Sequence, residues 1–200
     1  LNCDFVFVVV PADGHYKVCK HFLSRGVSTF CEKPLCLRLG EAEELYDIAE
    51  KNGCYLMVDW IFSFSNELNF IKSEFENRKF GDIKHASSKR LNAGIVRRDT
   101  NAKWDLSSHD VSIITYLFNK TPHSVYWADT RRNLDSEQSD TSMGILSYDS
   151  FYVLIHSSWE YPRARFRNFS FEFERCLVEW NDTERTVICD GEVLARELSG

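Results

Sequence analysis

The chain has 200 residues, 44% of them hydrophobic and 14% aromatic, enough for one large domain or two small ones with buried cores; this excludes intrinsic disorder. A formal charge of −6 offers no general attraction to nucleic acid or to anionic membranes. No apolar run reaches the roughly 18 residues that a bilayer span requires.

The first third alternates strand and helix. "DFVFVVV" (4–10) is an unbroken apolar run, the pattern of a strand buried on both faces, and it stops at Pro11. With Asn2 and Asp4 near its start and that early break, the run is not expected to be a secretory signal. A helix follows over 14–26, with Val18, Phe22 and Leu23 on one side and Gly26 as its C-cap. "VSTFCEK" (27–33) is a second strand, ended by Pro34. Residues 40–53 form a helix with Ala42, Leu45, Ile48 and Ala49 inward, and "CYLMVDW" (54–60) is a third strand. Strand, helix, strand, helix, strand with short links implies parallel strands joined by crossovers.

Beyond residue 60 the character changes. A helix is expected over 66–81, a strand over 83–91, a loop over 92–103 and a helix from about Asp105 to Leu117. Period-two segments then follow: "SVYWADT", "SMGILSY", "FYVLIHSSW", "RFRNFSFEFE", "CLVEW" and "RTVIC", with Phe169, Phe171 and Phe173 on one face. The expected fold class is therefore α/β. A parallel βαβαβ piece over 1–60 precedes an α+β domain over 61–200 with a mainly antiparallel open sheet.

Two clusters carry candidate chemistry. Open parallel sheets bind ligands at the carboxyl ends of their strands, where Pro11 to His15 and Glu32 to Pro34 fall. Lys33 either aims its ammonium into that crevice, to stabilise an alkoxide, or reaches solvent from a strand end. His15 either lines the rim or caps its helix. In "KWDLSSHD", Asp105 and His109 stand at i and i+4, so a carboxylate orients an imidazole that suits a general base. The alternative is a helix-terminal acid beside an ordinary histidine. Ser107 and Ser108 are placed to satisfy free amides at that helix start, and Asp110 points away without a catalytic part. Cys31 and Cys36 read as packing rather than as nucleophiles. His85, His123 and His156 lack metal-ligand spacing, and the pairs Arg97–Arg98 and Arg131–Arg132 read as solvated. Seven cysteines without a repeated C-x-x-C imply reduced thiols and a cytoplasmic protein.

"EKP" at 32–34, followed by "WDLSSHD" at 104–110, resembles the Gfo/Idh/MocA family of glucose–fructose oxidoreductases, inositol dehydrogenases and rhizopine-catabolism dehydrogenases. Residues 1–60 are similar to the C-terminal half of its Rossmann NAD(P)-binding domain. Residues 61–200 are similar to its substrate-binding and oligomerisation domain, incomplete at the carboxyl end. The resemblance implies an oxidoreductase that uses NAD or NADP and acts on a sugar or nucleotide sugar. It also implies a homo-oligomer formed through the open sheet face, and no nucleic-acid or membrane partner. It assigns catalysis to Lys33, Asp105 and His109, and cofactor contact to Pro11, His15, Glu32 and Lys33, with no metal. Two departures stand out. No G-x-G-x-x-G occurs, so the chain reads as a fragment or a truncated product. Asp59 and Trp60 replace the family's usual Gly and His or Tyr. A catalytically inactive remnant that binds ligand or dimerises is the competing expectation.

Overall fold

The computed structural model of the chain describes residues 3–93, 97–132, 137–163 and 165–196, and it divides into two units, residues 1–60 and 61–200. The first unit runs β1 (Phe5–Val8), a 3-10 turn (Ala12–Gly14), α1 (His15–Leu23), β2 (Ser28–Cys31), α2 (Leu39–Lys51) and β3 (Leu56–Val58). Its sheet has the order β1-β2-β3 with both pairs parallel. Val8, Cys31 and Val58 from the strands meet Cys19, Leu23, Leu45 and Ala49 from the helices in one apolar core. Each fully buried leucine there contributes about 1.5–3 kcal/mol relative to exposure. Gly26 closes α1 at φ 73°, and its N–H donates to the Leu23 carbonyl at 3.0 Å. That left-handed geometry favours glycine because it lacks a Cβ.

One expectation for β1 fails. Phe5 is 43% and Phe7 66% exposed, while Val8 is buried. Within this unit α1 and α2 cover the sheet face that carries Val8, so the phenylalanines that alternate with it lie on the other face. An unbroken apolar run cannot tell two covered faces from one.

The second unit begins with a 3-10 turn (Ile61–Phe64) and α3 (Asn66–Glu76), whose N-cap Ser65 hydroxyl accepts from the Leu68 N–H. After β4 (Ile83–Leu91) a π-helical turn (Lys103–Ser107) runs directly into α4 (Ser108–Phe118). The strands β5 (Ser124–Thr130), β6 (Thr141–Ser147), β7 (Tyr152–Ser158), β8 (Phe166–Phe173), β9 (Leu177–Asn181), β10 (Thr186–Cys189) and β11 (Glu192–Arg196) complete it. They form a sheet ordered β11-β10-β9-β8-β4-β7-β6-β5. The β4–β7 pair is parallel and the other pairs are antiparallel.

Period two explains the packing. Phe169, Phe171, Phe173, Val153, Ile155 and Trp180 face Leu68, Ile71, Ile113 and Leu117 of the two helices in a single core. Gly144 sits opposite Trp127, and a Cβ there would lie 2.6 Å from the indole, so glycine alone lets that ring settle across its neighbour. On the opposite face Tyr126, Ile145 and Leu154 stand side by side in register on β5, β6 and β7, and all three are exposed.

Three further details differ from the sequence reading. Glu192–Arg196 is a strand that the pattern did not suggest. The helix expected from Asp105 opens instead as a π turn, so Ser107 caps nothing, and its hydroxyl donates to Ser157 Oγ at 2.8 Å. The preceding turn already runs continuously into α4, which leaves Ser107 no helix start to cap. Of the loop expected over 92–103, residues 94–96 lie outside the described residues. No helix among the described residues is long and apolar enough to cross a membrane.

Candidate functional site

In the first unit, the carboxyl ends of three parallel strands bring Pro11, Glu32, Lys33 and Asp59 to one rim. Pro11 is exposed at the start of the 3-10 turn. The Glu32 N–H donates to the Val8 carbonyl at 3.0 Å, and the Asp59 N–H donates to the Cys31 carbonyl at 2.9 Å, so the strand ends are knitted together. The Lys33 N–H donates to its neighbour's carboxylate, Glu32 Oε2, at 3.2 Å. Lys33 is half-buried and the Lys33–Pro34 peptide is cis.

His15 is 2% exposed. Its Nδ1 lies 2.7 Å from the Pro34 carbonyl oxygen and its Nε2 lies 2.9 Å from that of Val10. The ring therefore ties the segment after β1 to the segment after β2. Through those two contacts it shapes the rim. Asp59 is the residue that spacing alone did not flag. Burial, with help from the Glu32 carboxylate, pushes its carboxyl above the ordinary range.

The cysteines nearby are packing groups. The Cys36 thiol is pushed up to about 12, by burial first and by Glu41 next, and Cys31 is raised by its hydrogen bond with Cys19 and by burial. A thiol so raised stays protonated near neutral pH and is a poor nucleophile.

In the second unit, Asp105 lies in the π turn and His109 in the first turn of α4. Asp105 Oδ2 accepts from the Trp159 indole N–H at 3.1 Å. Trp159 follows β7 directly and is buried with Ala102 and Leu106. His109 is 8% exposed, and its ring meets Phe62 edge to face at 5.2 Å between centroids and 87° between planes. Asp110 is fully buried, and its Oδ1 accepts from Arg90 Nε at 2.9 Å, an anchor that no sequence motif marks.

The lesser candidates have local roles. Arg97 holds Asp99 through two contacts of 3.0 and 2.8 Å, and His85 packs on Tyr152 at 4.8 Å. Among the described residues no group of three or more His, Cys, Asp or Glu is arranged to hold a metal ion.

Residues 1–60 match the model of the Gfo/Idh/MocA oxidoreductase family, described as having an NAD-binding Rossmann fold. An uncharacterized oxidoreductase of Schizosaccharomyces pombe is 28% identical over 165 residues, covering 78% of this chain and 42% of that protein. D-xylose 1-dehydrogenase (NADP(+)) 2 of Haloferax volcanii is 26% identical over 177 residues, covering 82% and 53%. The crystal structure of an inositol dehydrogenase homolog complexed with NAD+ from Azotobacter vinelandii superposes with a TM-score of 0.85 at 16% identity, covering 96% of this chain and 55% of that one. At that identity the likeness is one of fold. The chain spans about half the length of the proteins it matches.

Proposed function

We propose, for a chain whose residues 1–60 match the Gfo/Idh/MocA oxidoreductase family, that it takes part in NAD(P)-dependent hydride transfer at a sugar or nucleotide-sugar carbinol. The observation that carries this reading is the rim of the first unit, where parallel strand ends present Pro11, Glu32 and Lys33 together. Those residues suit the nicotinamide end of a dinucleotide, with His15 acting through the rim it braces. When bound, the cofactor supplies the hydride acceptor. The Lys33 ammonium donates a hydrogen bond to the substrate oxygen and stabilises its developing negative charge. In the second unit His109 is suited to act as a general base toward a carbinol hydroxyl, with Asp105, steadied by Trp159, beside it in the preceding turn. D-xylose, an aldose, and an inositol, a polyol, are suggested by similarity to the named relatives, and a nucleotide sugar is the third class to try. A homo-oligomer built on the open sheet face and a cytoplasmic location complete the reading.

The test uses the complete gene product. NAD(P)H formation is followed with D-xylose, myo-inositol and a UDP-sugar. Lys33→Ala and His109→Ala should each lower kcat by about 100-fold or more, the scale of lost general acid–base and electrostatic assistance. Near-normal turnover in either variant removes that residue from the mechanism.

A second reading has its own support. Asp59 sets a second carboxylate beside Glu32 at the rim. That feature suits a chain that keeps a binding or dimerisation surface without catalysis. NADH fluorescence decides between the two, because binding neither by this chain nor by the complete product would favour the remnant.

A further inference from the structure

Three side chains of the second unit, Phe62, Arg90 and Asp110, form a circuit that starts at the His109 ring and returns to its helix. Its ring meets the Phe62 ring at right angles, 5.2 Å between centroids. The Arg90 guanidinium carbon lies 4.8 Å from the centre of the same Phe62 ring. Arg90 in turn donates through Nε to Asp110 at 2.9 Å, and Asp110 is the next residue after His109 on α4. Trp180 also meets Phe62 edge to face, at 5.9 Å between centroids. Arg90 is 1% and Asp110 0% exposed, and Phe62 belongs to the main core of the unit. Among the described residues, the buried terminal nitrogens Nη1 and Nη2 of Arg90 find no hydrogen-bond partner, so Asp110 is its polar anchor and its planar face serves Phe62.

The geometry points to Arg90, through Phe62, as a positioning residue that fixes the imidazole of His109. A histidine at the mouth of a helix has two torsions to lose, and a ring wall clamped by a buried ion pair removes them before substrate arrives. Asp110 completes the clamp by holding the guanidinium to the same helix that carries the base. The inference rests on the proposed role of His109 as general base.

The test is a double-mutant cycle in the complete gene product. Phe62→Leu keeps apolar volume and removes the ring wall. Arg90→Met with Asp110→Leu removes the pair without leaving a buried charge, which keeps the fold. Each should lower kcat by about 10-fold or more with KM changed less than about twofold, and cause no further loss in a His109→Gln background. An unchanged kcat, or the same factor lost in both backgrounds, overturns the inference. Where residual turnover of His109→Gln is too small to divide, histidine ring NMR decides. Phe62→Leu should shift or broaden the His109 ring signals and leave the other histidines alone, and unmoved signals overturn the clamp. Near-normal turnover of His109→Gln itself would reject the base, while the ring spectrum still reports on the clamp.

Discussion

Trp159 reaches Asp105 from 54 residues away, and its indole N–H is the donor that the structure adds to the acid of "WDLSSHD". A hydrogen bond to a charged group contributes about 1.5–3 kcal/mol. If that energy holds the carboxylate in its working position, Trp159→Phe should lower kcat by about 10-fold while the melting temperature moves only a few degrees. Unaltered kcat would show that Asp105 finds its position without the indole. His156, on the open face of the sheet, makes a different prediction. Burial first, and Lys89 next, lower its pKa from 6.5, so the folded chain keeps the ring neutral. The unfolded ring binds a proton as pH falls through about 6.5, so this contribution is complete above that pH and is lost below it. Thermal melts from pH 7 to pH 5 should show a shallower decline in His156→Asn than in the parent. Parallel curves would contradict the assignment.

At the scale of elements, Arg90 on β4 and Arg167 on β8 face each other directly across the sheet. Like charges so placed repel, and each is drawn to a different carboxylate: Arg90 to Asp110 at 2.9 Å and Arg167 to Asp182 at 3.4 Å. Burial, with Arg90 and Arg165 adding to it, pushes the Arg167 guanidinium down to about 10, still charged at neutral pH. Burial also pushes the Asp110 carboxyl up, against the pull of Arg90. Asp110→Asn leaves a buried guanidinium without its counter-charge and should cost about 3–5 kcal/mol in urea melts. Replacing both partners, Arg90→Met with Asp110→Leu, should recover most of that loss. A double variant no more stable than Asp110→Asn would show that the pair itself, and not the stranded charge, sets the stability.

For the whole molecule, the exposed row of Tyr126, Ile145 and Leu154 is an apolar surface suited to a cover. A second copy is the occupant proposed above. Leu154→Arg should shift the complete product toward monomer in sedimentation velocity without changing its circular dichroism. A parent that sediments as a monomer at all concentrations tested removes the homo-oligomer from the reading.

The sequence by itself determined the order of strands and helices as far as β10, because apolar periodicity records which side of each element is buried. Leu45 and Ala49 face inward on α2 as their spacing requires, and Phe169, Phe171 and Phe173 line the core as period two requires. It also marked Lys33, Asp105 and His109, whose residue types and short spacings carry chemical meaning. Only the tertiary structure decided what surrounds them. The open face of β1, the His15 brace between two strand ends, the Trp159 donor and the Phe62–Arg90–Asp110 clamp all depend on residues far apart in the chain. Local periodicity holds no record of a partner that arrives from another strand, so those contacts become legible when the sheet is assembled.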